Sequence, residues 1–140
     1  MKKQMILLSC ALGLSVASAR SAEEKDQTPL GKQMEAVSDA YKAFRKETDP
    51  VKGAALARDA QQGALKAAME VPAMVKEMPE GPEKIKAALE YRKMMGKLFA
   101  SLCDVEEAFN NGKLEDVAKI VNNLKDLKKG GHEKFIKEEK

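Results

Sequence analysis

The chain has 140 residues, of which 44% are hydrophobic and 34% charged, with no tryptophan and a formal net charge of +3. That length accommodates one domain around one core. The small net charge, with lysines alternating with acids, excludes a nucleic-acid binder, and two cysteines are too few for a disulfide scaffold.

The N-terminus reads as an export signal. Lys2 and Lys3 form a positive n-region, Met5 to Val16 an apolar h-region broken only by Ser9, Gly13 and Ser15, and Ala17-Ser18-Ala19 a small-residue cleavage site. The expected organisation is a cleaved signal peptide over 1–19, a charged and polar leader over 20–27, and a folded domain over 28–140. A lipoprotein signal at Leu7-Leu8-Ser9-Cys10 is the weaker reading, because the stretch between Lys3 and Cys10 is too short for an export core. Cleavage removes Lys2, Lys3 and no acid, which lowers the net charge to +1, and it removes Cys10, which leaves Cys103 alone. A second apolar run near the ~20 residues of a membrane span is absent. The expected product is a periplasmic protein without a membrane span. It is a monomer, with a disulfide dimer through Cys103 as the alternative.

The first predicted helix runs from Thr28 to Lys46. Thr28 suits the N-cap and Pro29 the first helical position, because the cap accepts an orphan N–H and proline lacks one. Leu30, Met34, Val37, Tyr41 and Phe44 form one apolar stripe. The second helix, Pro50 to Val71 with Asp49 as cap, is rich in alanine. Its expected inward residues are Val51, Ala55, Leu56, Ala60, Ala64, Ala67 and Val71. Residues 72–82 contain Pro72, Pro79, Gly81 and Pro82 and read as a non-helical connection, with Met74, Val75 and Met78 available to cover a bundle end.

The third helix runs from Glu83 to Asn110, with a stripe of Tyr91, Met95, Leu98, Leu102, Val105 and Phe109, and stops at Asn111-Gly112. The fourth runs from Leu114 to Lys137 through Val117, Ile120, Val121, Leu124, Leu127 and Phe135, interrupted at Gly130-Gly131. Two helical glycines cost about 2 kcal/mol relative to alanine. A gap beside His132 for a flat ligand or a frayed end would account for them. Four amphipathic helices, short first and third turns and no strand pattern give an all-α, antiparallel up-down-up-down four-helix bundle. Its first and last helices are expected side by side, the start of one beside the end of the other.

His132 is the only histidine. At 1.5 Å per residue, Met34 lies ~9 Å inside the first helix and His132 ~8 Å inside the end of the last one. Their depths match at one end of the bundle, and His132 lies eleven residues, about three turns, after Val121 and so on the same side. A thioether and an imidazole in that relation suit a haem iron. The plainer readings are core packing for Met34 and, for His132, an exposed ring at a helix C-terminus.

The run Gly112-Lys113-Leu114, then Leu124-Lys125, then Gly131-His132-Glu133-Lys134-Phe135 resembles the last helix of the cytochrome b562 family. Gln33-Met34-Glu35 followed by Val37, Tyr41 and Phe44 is similar to that family's first helix. The resemblance implies one non-covalent b-type haem per chain, with Met34 and His132 as axial ligands of the iron. It implies Tyr91 and Met95 as lining residues, Val37, Tyr41 and Leu124 as further wall, and an alanine-rich contribution near Ala67 and Val71. Lys128, Gly131 and Gly31 depart from the family pattern at positions that affect affinity and the polarity of the haem edge. The residues before His132 are Lys128-Lys129-Gly130-Gly131, so covalent c-type attachment is excluded.

The implied function is single-electron transfer to a transient redox protein partner, not enzymatic turnover. Lys128, Lys129 and Lys134 are available to steer an acidic partner, or are ordinary helix-end lysines. The alternative is a haem-free periplasmic bundle. It would act as a protein-interaction module through an apolar patch of Met69, Met74, Val75 and Met78, or as a soft-metal module through Met74, Met78, Met94 and Met95. A hydrolase is disfavoured, because no Ser-His-Asp arrangement stands out around the one histidine.

Overall fold

A computed structural model describes residues 28–136. The expected signal peptide over 1–19, the leader over 20–27 and the last four residues lie outside the described residues. The elements are α1 (Pro29–Phe44), α2 (Pro50–Ala68), α3 (Ala73–Lys76), α4 (Pro82–Asn110) and α5 (Leu114–Phe135). The four long helices form the bundle. Among the described residues there is no strand.

The helix ends are set by local chemistry. Thr28 caps α1 through its hydroxyl, which accepts the Gly31 amide at 2.9 Å, and Pro29 follows. The Asp49 carboxylate accepts the amides of Val51 at 2.9 Å and Lys52 at 3.1 Å, and Pro50 opens α2. At the end of α4, Gly112 adopts φ +67, the left-handed region that favours glycine. Its amide donates to the Phe109 carbonyl at 2.9 Å and the Lys113 amide to the Ala108 carbonyl at 2.8 Å. This paired closure satisfies two orphan carbonyls and turns the chain into α5, where Glu115 and Asp116 complement the positive end of the helix dipole.

Three expectations change. Residues 72–82 are not wholly irregular: Pro72 opens the single turn of α3, which buries Val75 to 2% exposure. Val75 therefore leaves the proposed apolar patch, whereas Met69 stays 84% exposed. The inward face of α2 differs in part. Ala60, Ala64 and Ala67 are buried as expected, joined by Gly53, Ala54, Ala57, Gln61 and Gly63, whereas Val51, Ala55 and Val71 are exposed. Finally, α5 continues unbroken through Gly130-Gly131 and ends at Phe135, with Ile136 already extended.

Small residues on α2 bring its neighbours close. A Cβ on Gly53 would fall into the Phe109 ring, and one on Gly63 would lie 2.8 Å from Val37 Cγ2 and 3.2 Å from the Gln33 carbonyl oxygen. The main core runs through Val37, Ala40 and Phe44 of α1, the alanines of α2, Leu102, Val105 and Phe109 of α4, and Val117, Val121 and Leu124 of α5. Gln61 is the one buried polar side chain among the described residues. It donates to the Leu102 carbonyl at 3.2 Å and to Glu106 Oε2 at 2.6 Å, while Arg58 Nε donates to Glu106 Oε1 at 3.0 Å.

The close helix pairs are α1 with α2, α2 with α4 and α4 with α5. No Cα of α1 comes within 8 Å of a Cα of α5. Helices packed ridge into groove have axes about 8–10 Å apart and normally bring some Cα atoms closer than this. The first and last helices therefore lie side by side as expected, the end of one beside the start of the other, but across a wider gap than the three close pairs. Between the last turn of α1 and the first turns of α5 this gap opens as a cleft of about 410 Å³, lined by Arg45, Thr48, Leu114, Val117 and Val121 among others.

Candidate cofactor site

A second, smaller apolar cluster occupies the end of the bundle opposite that cleft. Ala67, Tyr91 and Met95 are its buried centre, and Leu30, Met34, Ala68, Met94, Leu98 and Phe135 pack against it half-exposed. Four long helices contribute, so the cluster closes this end of the molecule. Tyr91 is tied down twice. Its hydroxyl donates to the Ala67 carbonyl at 2.7 Å, and the edge of one ring meets the face of the other between Tyr91 and Phe135, with centroids 5.4 Å apart. Burial first, and the Glu70 charge second, push the Tyr91 hydroxyl up to about 12.

Met34 belongs to this cluster. His132 is exposed on the last turn of α5, three residues before Phe135 and between Gly131 and the ion pair of Lys134 with Glu90 at 3.1 Å. It lies nearer the helix end than expected, ~4.5 Å from Phe135 along the axis, because α5 stops at Phe135. Partial burial of its ring, and then the Lys128 charge, hold His132 below the usual histidine value. Both effects favour the neutral imidazole, the form in which one ring nitrogen carries a free lone pair.

The structure brings Met34, Tyr91 and Met95 together and carries His132 on the helix end whose Phe135 joins them. It does not bring the other expected wall residues into this cluster. Val37 and Leu124 are buried in the main core, and Tyr41 packs against that core, edge-on to Phe44 with centroids 5.6 Å apart and beneath the Arg45 guanidinium. Of the two α2 residues, Ala67 is fully buried in the cluster and Val71 is exposed past the helix end. Leu30, Met94 and Phe135 were not singled out as site residues by the sequence. Their helical spacing marked them as inward only in the cases of Leu30 and Phe135.

The arrangement can hold a flat apolar group. It offers a half-exposed apolar cluster and a gap between the two helices that carry the soft sulfur and the imidazole. Among the described residues there is no group of three or more His, Cys, Asp or Glu placed to hold a bare metal ion. Met95 is buried with Ala67 and Tyr91, which ties it to the cluster.

A family model for cytochrome b562 matches residues 29–136. The chain belongs to the cytochrome b562 family. No curated protein matches it. Cytochrome b562 proteins are haem-binding electron carriers built on a four-helix bundle, and the match spans the bundle from the first residue of α1 to the residue after α5. The haem of this family is of b type. No helix among the described residues is long and apolar enough to cross a membrane.

Proposed function

We propose that this chain is a periplasmic single-electron carrier that binds one b-type haem without covalent attachment, with Met34 and His132 as axial ligands. The observation that carries the reading is the apolar cluster at one end of the bundle. It contains Met34 and Phe135 and lies where the chain leaves its first and last helices apart.

The haem supplies a one-electron ferric/ferrous couple. Met34 presents a thioether from a half-buried position, and a thioether ligand favours the ferrous state and raises the potential relative to two nitrogens. His132 presents a neutral nitrogen. Met34 and His132 would together hold the iron, and the chemistry the bound group would supply there is electron transfer instead of turnover. Tyr91, Met95 and Ala67 supply an apolar wall that excludes water. Burying one haem face at ~25 cal/mol per Å² stabilises the complex by several kcal/mol.

The partner is a redox protein met briefly through the exposed end. Lys134 is paired with Glu90 at 3.1 Å and Lys129 with Glu133 at 3.9 Å, so Lys128 is the lysine there that a steering contact would engage at least cost. Export by cleavage after Ala19 is part of this reading.

The test is titration with hemin of the unaltered protein and of two variants. His132→Ala should lose tight binding. Met34→Ala should stay folded, bind, and show an altered spectrum and a lower potential. Unchanged spectra and potential in both variants would refute the ligand assignment.

A further inference from the structure

The two glycines before His132 weaken the helix at the residue that must present the ligand. Each costs about 1 kcal/mol relative to alanine in a helix interior, and no side chain there restores it. Only Gly131 has a packing reason: a Cβ on it would lie 3.1 Å from Met94 Sδ, whereas a Cβ on Gly130 would meet nothing within 4 Å. Left to local propensity, α5 would fray at 130–131 and release His132. It does not fray. The helix continues to Phe135, and the Ile136 amide closes the last turn on the His132 carbonyl at 3.0 Å.

What holds that turn comes from α4 and α2. The Phe135 ring docks against Tyr91, Tyr91 is fixed by its hydrogen bond to the Ala67 carbonyl, and Lys134 reaches Glu90 one residue before Tyr91. Phe135 lies three residues after His132, so both project from the same side of one turn. Fixing the azimuth of one fixes the other. We propose that Phe135 and Tyr91 form a clamp that positions His132, closing a glycine-weakened hinge so that the imidazole is presented in one orientation. Lys134–Glu90 assists as an exposed pair of small worth. The clamp rests on the reading of His132 as a haem ligand, and both residues act as positioning residues through His132.

Two readouts test it on the full chain: hydrogen exchange of the α5 amides before hemin is added, and the reduced visible spectrum after. Phe135→Ala should speed exchange at Ile136 and its neighbours on the order of tenfold. Exchange over 117–127 should stay unchanged, and the low-spin α band should lose intensity. Phe135→Tyr keeps the ring and should restore both. Adding Gly130→Ala to Phe135→Ala should slow the terminal exchange again by about fivefold, through propensity alone. If the unaltered protein takes up hemin and Phe135→Ala changes neither readout, or if exchange rises equally along all of α5, the clamp is refuted and the haem reading stands. If the unaltered protein takes up no hemin, the haem reading fails and the positioning role with it, whatever the exchange shows.

Discussion

Replacing Gly63 with alanine sets helix propensity against packing. In an open helix the change stabilises by about 1 kcal/mol, because glycine loses more backbone freedom on folding. Gly96 of α4 provides that reference, since a Cβ there meets nothing within 4 Å. At Gly63 the new Cβ would lie 2.8 Å from Val37 Cγ2 and 3.2 Å from the Gln33 carbonyl oxygen. Val37 is 6% exposed and β-branched, so its side chain has few places to turn, and the carbonyl belongs to the α1 backbone. The two helices must separate. Overpacking of this kind costs about 1–3 kcal/mol, which offsets the propensity gain and leaves a net loss of up to about 2 kcal/mol.

Urea unfolding followed by far-ultraviolet circular dichroism measures both variants. Gly96→Ala should raise the midpoint and Gly63→Ala lower it. Gln33 immediately precedes Met34, so Gly63→Ala should also weaken hemin binding, and Gly96→Ala should not. A Gly63→Ala protein stabilised as much as Gly96→Ala would refute the close approach of α1 and α2 and the placement of Met34 that depends on it.

Three more outcomes follow from the charge and burial pattern. The hydrogen bonds from Arg58 first and Gln61 second hold the Glu106 carboxyl below its usual value of 4.5, so its contribution to stability is present above pH 4.5 and is lost as pH falls through the depressed folded value. Glu106→Gln should flatten the acid limb of urea midpoint against pH, and an unchanged limb would contradict the network. Tyr91 is raised from 10.0 to about 12, so its contribution is complete below pH 10 and disappears as pH rises through 12. In a Tyr41→Phe background the remaining phenolate absorbance should therefore emerge near pH 12, and emergence near pH 10 would contradict the buried bond to Ala67. Burial first, then Glu106 and Asp104, raise the half-buried Cys103 thiol. Because the thiolate is the reactive species, Cys103 should react slowly with a disulfide reagent at pH 7 and the protein should migrate as a monomer without reductant. Rapid, complete dimerisation in air would reverse that.

The helix ends were readable because their signals are local. Thr28-Pro29, Asp49-Pro50 and Asn111-Gly112 each carry their own hydrogen-bonding logic, and each operates as read. The face of α2 was readable only in part: Ala60, Ala64 and Ala67 are inward as read, but alanine occurs on several sides of the helix and the full inward face is selected by what α1 and α4 press against it at Gly53 and Gly63. The continuity of α5 through Gly130-Gly131 was invisible for a related reason: tertiary contacts of Phe135 and Lys134 override a local propensity that predicts a break. The separation of α1 from α5 was also out of reach. An apolar stripe shows which side of a helix faces inward and is silent on how far away its neighbour lies. Of the candidate site, the sequence offers Met34 and His132 as proposed ligands by residue type, but the matched depth it suggests for them does not hold, because α5 stops at Phe135. The shared cluster around Tyr91 appeared only with the fold.

The visible spectrum of the hemin-loaded protein, recorded before and after dithionite, tests the central claim most directly. A sharp Soret band with resolved α and β bands in the reduced state is the result expected for two axial ligands from Met34 and His132. A protein that ignores added hemin, or binds it with only the broad spectrum of a high-spin iron, would contradict the assignment.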